Sequence, residues 1–484
     1  MNKAIKIIIS ITLVFTYINV NAQNTLLNCW KKQVKPIKGE HLTFSFSEKF
    51  NQLEHSFEPW QQTNYIGKGT IWSNADTFLK QDTLNRGKKA YYSKTNFNNS
   101  ELLFLNYGDK ELFPVTKKLF EEQIFKTARY TPVNLINYFL DRKIDKSDMS
   151  DIDLSVYTTT INKTIVTLYI SNKDNLLRKT TTLSYDELFG DILTTFNYTD
   201  YIETNNIHHP TKILIDKING NLKDEVLIYN LRLSKTIPRL LEKPTDYKFA
   251  KPTQTKYEIK TEKFNEHIYF VELKHTDDRV MIVEFSDFLL VAEAPINSEN
   301  GELIIAEAKK IAPNKPIKYF VFGHYHEHYL GGMRPFIHKG AKIICSEINR
   351  EYVKYIANAP HTLNPDSLHI EPKPLQIENI NDSLTISDGN YKMIIYFIGE
   401  KSQHTKDYLI YYFPTEKILF EDDLVWIKRE GEIEKAGKRQ EGLYNAIMEL
   451  NLDIEIIIQS WPVADYGVKT IIPFKDLEAS MKKE

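Results

Sequence analysis

Through the first half of the chain, apolar and polar residues alternate in short runs. "LSVYTTTI", "TIVTLYI", "LLRKTTTL" and "DILTTFNYTDYI" are separated by polar stretches such as "SNKDN", "YDELFGD" and "ETNN". Successive side chains of an extended chain point to opposite faces, so a period of two predicts antiparallel strands with one buried face. This makes 23–245 a β-rich unit built on a curved antiparallel sheet. Two stretches break the alternation, "VTKKLFEEQIFKTARY" and "PVNLINYFLDR", whose apolar residues recur at three-to-four spacing and predict helices. Around 240–264 the text "EKPTDYKFAKPTQTKYEIKTEKFN" is polar, carries two prolines and has no period, which predicts a linker over 246–264. From 265 to 484 the pattern changes again. Strand-like runs "HIYFVEL", "RVMIVEF", "FLLVAEA", "IKYFVF", "AKIICSE", "KMIIYFI", "DYLIYYF", "KILFEDDL" and "IEIIIQS" are mixed with helix-like "ENGELIIAEAKKIA", "INREYVKYIA" and "EGLYNAIMELN". That order predicts sheets covered by helices on their outer faces, and an α+β protein of two domains overall.

Length agrees with two folded units, since 484 residues exceed the usual size of one domain, about 100 to 200 residues. The composition, 42% hydrophobic and 26% charged, is that of a globular protein. A net charge of -2 with no long basic block gives no electrostatic footprint for nucleic acid, which removes that partner class. The chain begins "MNKAIKIIISITLVFTYINVNAQ", with Lys3 and Lys6 ahead of an apolar run from Ile7 to Val20 and small residues ending at Ala22. This pattern predicts a signal peptide over 1–22, cleaved after Ala22, and a periplasmic or secreted mature protein. The apolar run is shorter than the roughly 20 residues a span needs, and no other stretch is apolar enough, so no stable membrane span is expected. Cys29 and Cys345 fall in different predicted units with no CxxC pattern, which argues against a disulfide. Cys345, in "AKIICSE", reads as a buried strand residue.

The chemistry concentrates in residues 321–332, "VFGHYHEHYLGG". In an extended segment His324 and His326 share a side, as does His328 if the chain has not yet turned. Imidazoles arriving from the end of an apolar strand can bind zinc or a similar ion, and Gly331-Gly332 would permit a tight turn afterwards. The plain alternative is a solvated histidine-rich loop.

This segment resembles the first metal motif of the metallo-β-lactamase superfamily, His-x-His-x-Asp-His followed by Gly two residues on. In that register His324 and His326 match the two histidines, His328 stands at the Asp and Tyr329 at the last His. The resemblance extends over residues 265–484 and implies an αββα sandwich. "SQHTKDYLIYYFPTEKILFEDDLV" is similar to the family's later segment and implies His404 as third imidazole and Asp423 as the carboxylate ligand. Without the family, Glu421, Asp422 and Asp423 could equally be a solvated acidic turn. In "IEIIIQSWPVADYG", Trp461 stands where the family's last histidine belongs, and an indole is a donor only. The resemblance therefore implies one zinc ion, on His324, His326, His404 and Asp423, rather than two. It implies a hydrolase that uses one metal-activated water on an ester, lactone, amide or phosphodiester of a small molecule. Asp423 would orient the water or take its proton, His328 would be a general base or extra ligand, and Tyr325 or Tyr329 would donate to a developing oxyanion or simply pack. The runner-up is a catalytically inactive binding protein of the same fold, with Trp461 filling the second metal's place. In the first half, "FGDILTTFNYTDYIETNNIHHPTKILID" resembles the sheet of LolA-like domains. That implies a half-barrel serving as a carrier or as an interaction module whose partner the sequence does not specify.

Overall fold

The computed structural model describes residues 25–53, 56–62, 65–86, 89–97, 101–106, 109–114, 116–238, 245–246, 248–249 and 257–483. The expected signal peptide over 1–22 lies outside the described residues, as does much of the polar stretch after 238. The described chain is mixed α+β, and none of its helices is long and apolar enough to cross a membrane. It divides into two compact units. One consists of Met1–Gln52, Gln62–Ser184 and Ile192–Pro252, the other of Leu53–Gln61, Tyr185–Asp191 and Thr253–Glu484.

The first unit holds a sheet of 13 strands among the described residues, antiparallel throughout except at one edge. There Lys248–Phe249 runs parallel to Asp109–Pro114. The alternating runs become the strands Leu154–Ile161, Thr164–Ser171, Leu177–Asp186 and Gly190–Thr204. Their inward residues, including Val166, Leu168 and Tyr198, join Phe44, Phe46, Ile213 and Val226 in one core. The two predicted helices, Lys117–Lys126 and Val133–Asp141, cover that face with Ile124, Val133, Ile136 and Phe139. Thr116 begins the first of them by accepting the Leu119 N–H at 3.2 Å, which satisfies one donor the helix leaves open.

The second unit is a sandwich of four layers. Its seven-stranded sheet runs from the edge strand Ile259–Lys263 through Ile268–Leu273, Asp278–Glu284, Leu289–Ala292, Ile317–Val321 and Lys342–Ser346 to Ile377–Ile380. Ile259–Lys263 lies inside the stretch read above as linker, where strongly polar composition hides an exposed edge strand paired with Ile268–Leu273. From Leu289–Ala292 onward the pairing is parallel. The six-stranded sheet contains Leu409–Phe413, whose five residues are all buried. Their alternation shows why: Leu409, Tyr411 and Phe413 face Met281, Leu290, Val321 and Ile344 of the other sheet. Ile410 and Tyr412 face Leu443, Ala446, Ile447 and Leu477 of the helices Lys438–Glu449 and Phe474–Met481. On the opposite outer face Phe336, from the short helix Met333–His338, stacks on Phe320 of Ile317–Val321 at 4.6 Å.

Leu53–Gln61 and Tyr185–Asp191 join this sandwich through aromatic and backbone contacts. Trp60 and Phe189 meet Tyr352 and Tyr355 at ring-centroid distances between 5.0 and 6.1 Å. Asp191 accepts hydrogen bonds from the Thr362 and Leu363 N–H groups at 2.9 and 3.0 Å. Cys345 is a buried strand residue, and both Cys29 and Cys345 are free thiols.

Candidate metal centre

Four chain segments deliver the site. Ile317–Val321 ends just before His324, the short turn Gly399–Ser402 just before His404, Ile418–Glu421 just before Asp422, and Ile456–Gln459, paired in parallel with it, just before Trp461. Loops leaving the carboxyl ends of parallel strands are where open sheets expose functional groups on a rigid base. The Trp461 N–H donates to Asp422 O at 2.9 Å, which ties two of these ends together.

His324, His326 and His404 converge, with one ring nitrogen from each lying within 4.8 Å of the others. His324 Nε2 is 3.0 Å from His326 Nδ1. His324 is fully buried, and its Nδ1–H donates to Asp422 Oδ2 at 2.6 Å, leaving Nε2 to face the cluster. Burial first, then the neighbouring His326 and His404, hold the His324 pKa well below 6.5, so the ring is neutral and has a lone pair to give. Asp423 stands on the other side of His404, with Oδ2 3.2 Å from His404 Nε2 and 2.9 Å from Arg439. Burial raises the Asp423 pKa, but the neighbouring His404 first and then the Arg439 guanidinium outweigh it and hold the carboxylate below its usual range. Three imidazoles beside one ionised carboxylate form a donor set suited to zinc or a similar borderline ion.

His328 goes elsewhere. The backbone turns helical over Glu327–Leu330, immediately after His326, so the expectation that three alternate histidines share one side fails at the third. Its Nδ1 is instead 3.1 Å from Asp278 Oδ2, while the ring lines the same pocket as His326 and His404. Tyr325 also leaves the site: its hydroxyl donates to the carbonyls of Leu53 and Ser56 at 3.0 and 2.7 Å. Tyr329 is buried and packs on His324 with ring centroids 4.3 Å apart. The pocket has a volume of about 330 Å³ and is further lined by Glu327, Arg439 and Trp461.

Glu421 and Asp422 are both fully buried, which excludes a solvated acidic turn. Tyr408 organises them. Its hydroxyl accepts the N–H groups of Asp422 and Asp423 at 3.1 Å and donates toward Glu421 Oε2 at 3.1 Å, while its ring stacks on His324 at 4.9 Å. Beneath His324, Glu293 accepts the Gly323 N–H at 3.1 Å and the Tyr411 hydroxyl at 2.6 Å. Burial and mutual repulsion raise the pKa of both Glu293 and Asp422, so this contacting pair retains a proton that two separate carboxylates would lose. Asp422, Tyr408 and Asp278 escaped sequence reasoning because nothing local distinguishes them from surface polar residues. The apolar strands around Tyr408 and Asp278 were the available signal.

Gly331 and Gly332 have a different purpose from the tight turn expected of them. Neither has positive φ, at −57° and −86° respectively. A Cβ on Gly331 would lie 2.4 Å from the Ile296 backbone, and one on Gly332 2.9 Å from the Ala294 side chain. Close approach excludes side chains there.

No protein-family profile matches the chain, and no curated protein is similar to it in sequence. Solved structures similar to it include a metallo-β-lactamase from Pontibacter korlensis, at 16% identity over 46% of this chain and 97% of that one, with a TM-score of 0.34. The metallo-β-lactamase FIM-1 from Pseudomonas aeruginosa, in its mono-zinc form, is 18% identical over 47% of this chain and 96% of that one, with a TM-score of 0.35. A flavoprotein from Thermotoga maritima is 14% identical over 47% of this chain and 61% of that one, with a TM-score of 0.33.

Proposed function

We propose that the protein is an exported, metal-dependent hydrolase of the metallo-β-lactamase superfamily, acting with one zinc ion on an ester, lactone, amide or phosphodiester. The observation that supports this reading is the convergence of His324, His326 and His404 beside Asp423 in an open pocket. A bound ion of this kind supplies a Lewis acid and lowers the pKa of water to about 7. The chain's own residues set the geometry around it. Asp422 orients His324, Arg439 and His404 hold Asp423 ionised where it can orient the water, and Asp278 fixes His328 on the pocket wall as a general base. We further propose that the first unit is a LolA-like module that holds the enzyme at a partner, and that export removes residues 1–22.

A second reading, a binding protein without turnover, is favoured by Trp461, which lines the pocket where a second metal's histidine would stand. Metal analysis of purified protein, combined with a panel of ester, lactone, phosphodiester and β-lactam substrates, separates the two. One ion per chain with turnover of a panel member is expected. One ion with no turnover favours the binding protein, two ions overturn the single-site proposal, and metal near zero overturns the hydrolase and any structural ion. His404→Ala should remove at least nine-tenths of the bound metal, and unchanged occupancy would show that the ligands are misassigned.

A further inference from the structure

At Trp461 the pocket lining continues into a cluster of three rings. Trp461 lines the pocket and is half-buried. Trp426 stacks on it with centroids 5.6 Å apart and planes 27° from parallel, and Tyr466 closes the triangle at 5.8 Å from Trp461 and 6.2 Å from Trp426. Trp426 is 48% and Tyr466 54% exposed, an unusual amount of ring surface for residues already in contact with one another. The loop beneath them is fixed: Asp277 accepts the Val463 and Ala464 N–H groups, and Trp461 N–H is held by Asp422 O. Rigid exposed rings with two torsions each bind flat apolar groups at small entropic cost.

Charge near the rings is neutralised locally. Arg429 pairs with Asp465 at 3.2 Å, and Lys428 with Glu434. The exposed ring surface there suits a flat apolar group better than a phosphate or sulfate arm, whose charge these paired side chains would not meet. We propose that Trp461, Trp426 and Tyr466 form an aromatic wall that binds an aryl group of the substrate, with its reactive bond placed toward His326, His404 and Asp423. This deepens the hydrolase reading and rests on it for the word substrate; the aryl preference itself can be measured as binding.

The test uses full-length, metal-loaded protein and two paired probes. In the binding arm, 2-naphthoate and acetate are titrated while tryptophan fluorescence is followed. Naphthoate should bind at least tenfold more tightly, Trp461→Ala and Trp426→Ala should each reduce that preference at least fivefold, and Trp461→Phe should restore most of it. Trp426 is half exposed, so its truncation tests the wall even if Trp461→Ala fails to fold. In the turnover arm, kcat/KM for 2-naphthylmethyl acetate should exceed that for methyl acetate by at least tenfold, the two leaving alcohols being of similar acidity. Equal binding of the two carboxylates by the unmodified protein, or an unchanged preference in folded Trp426→Ala, overturns the wall. Hydrolysis of both esters without aryl preference overturns the wall and leaves the hydrolase. A naphthoate preference lost in the variants, without hydrolysis of either ester, keeps the wall and removes the hydrolase.

Discussion

A carboxylate behind an imidazole fixes which ring nitrogen is left to face the other side, and Asp422 occupies that place for His324. Its side chain is fully buried and reachable only through folded structure. Gly323 shares the constraint, because a Cβ there would collide with the Asp422 carboxylate. Asp422→Asn should lower metal affinity about 10- to 100-fold, the range seen when such supporting partners are lost. Chelator competition reads this directly, and an affinity equal to that of the unmodified protein would remove Asp422 from the site. In the first unit, His209 offers a pH effect independent of metal. It is fully buried between Pro210 O at 2.8 Å and Thr131 Oγ1 at 3.0 Å, and burial lowers its pKa from 6.5 to about 4. The folded state therefore binds this proton less readily than the unfolded chain. The associated stability is complete above pH 6.5 and declines as pH falls through about 4. The loss between pH 7 and 5 should be roughly 2 kcal/mol, at about 1.4 kcal/mol per pKa unit. Urea unfolding at both pH values should show a flatter slope for His209→Gln; an identical slope would count against the assignment.

Among the elements, the helix Ser298–Ile311 approaches the turn after the histidines so closely that a Cβ on Gly301 would lie 2.3 Å from Gly332 O. Alanine usually stabilises a helix interior relative to glycine by up to about 1 kcal/mol. Here overpacking, typically about 1–3 kcal/mol, should dominate, so Gly301→Ala should lower the thermal midpoint, and a raised midpoint would disprove the close approach. Elements were the most legible level of this chain. "DYLIYYF", "IEIIIQS" and "ENGELIIAEAKKIA" each became the element their periodicity predicts, because burial on one or both faces enforces the pattern. Ile259–Lys263 was illegible because an exposed edge strand buries nothing and so leaves no apolar signature. In the site, His324, His326 and His404 were readable as residue types at characteristic positions. The diversion of His328 depends on a four-residue helical turn and on Asp278, whose side chain arrives from a different strand.

For the whole molecule, an ion held only by the folded second unit adds stability that depends on its free concentration, about 2.7 kcal/mol at one hundred times Kd. Zinc addition to chelator-treated protein should raise the unfolding midpoint of that unit, and His404→Ala should abolish the increase. A midpoint indifferent to zinc in the unmodified protein would exclude a folded-state metal site. Residues Leu53–Gln61 and Tyr185–Asp191 belong to this same unit, although its main body begins at Thr253. During synthesis these two segments leave the ribosome long before the strands they serve exist, so the sandwich cannot close in the order in which it is translated. A gene fragment starting at Thr253 would encode every histidine of the cluster. It would nonetheless remove the Trp60 and Phe189 rings from Tyr352, and the Leu53 and Ser56 carbonyls from the hydroxyl of Tyr325.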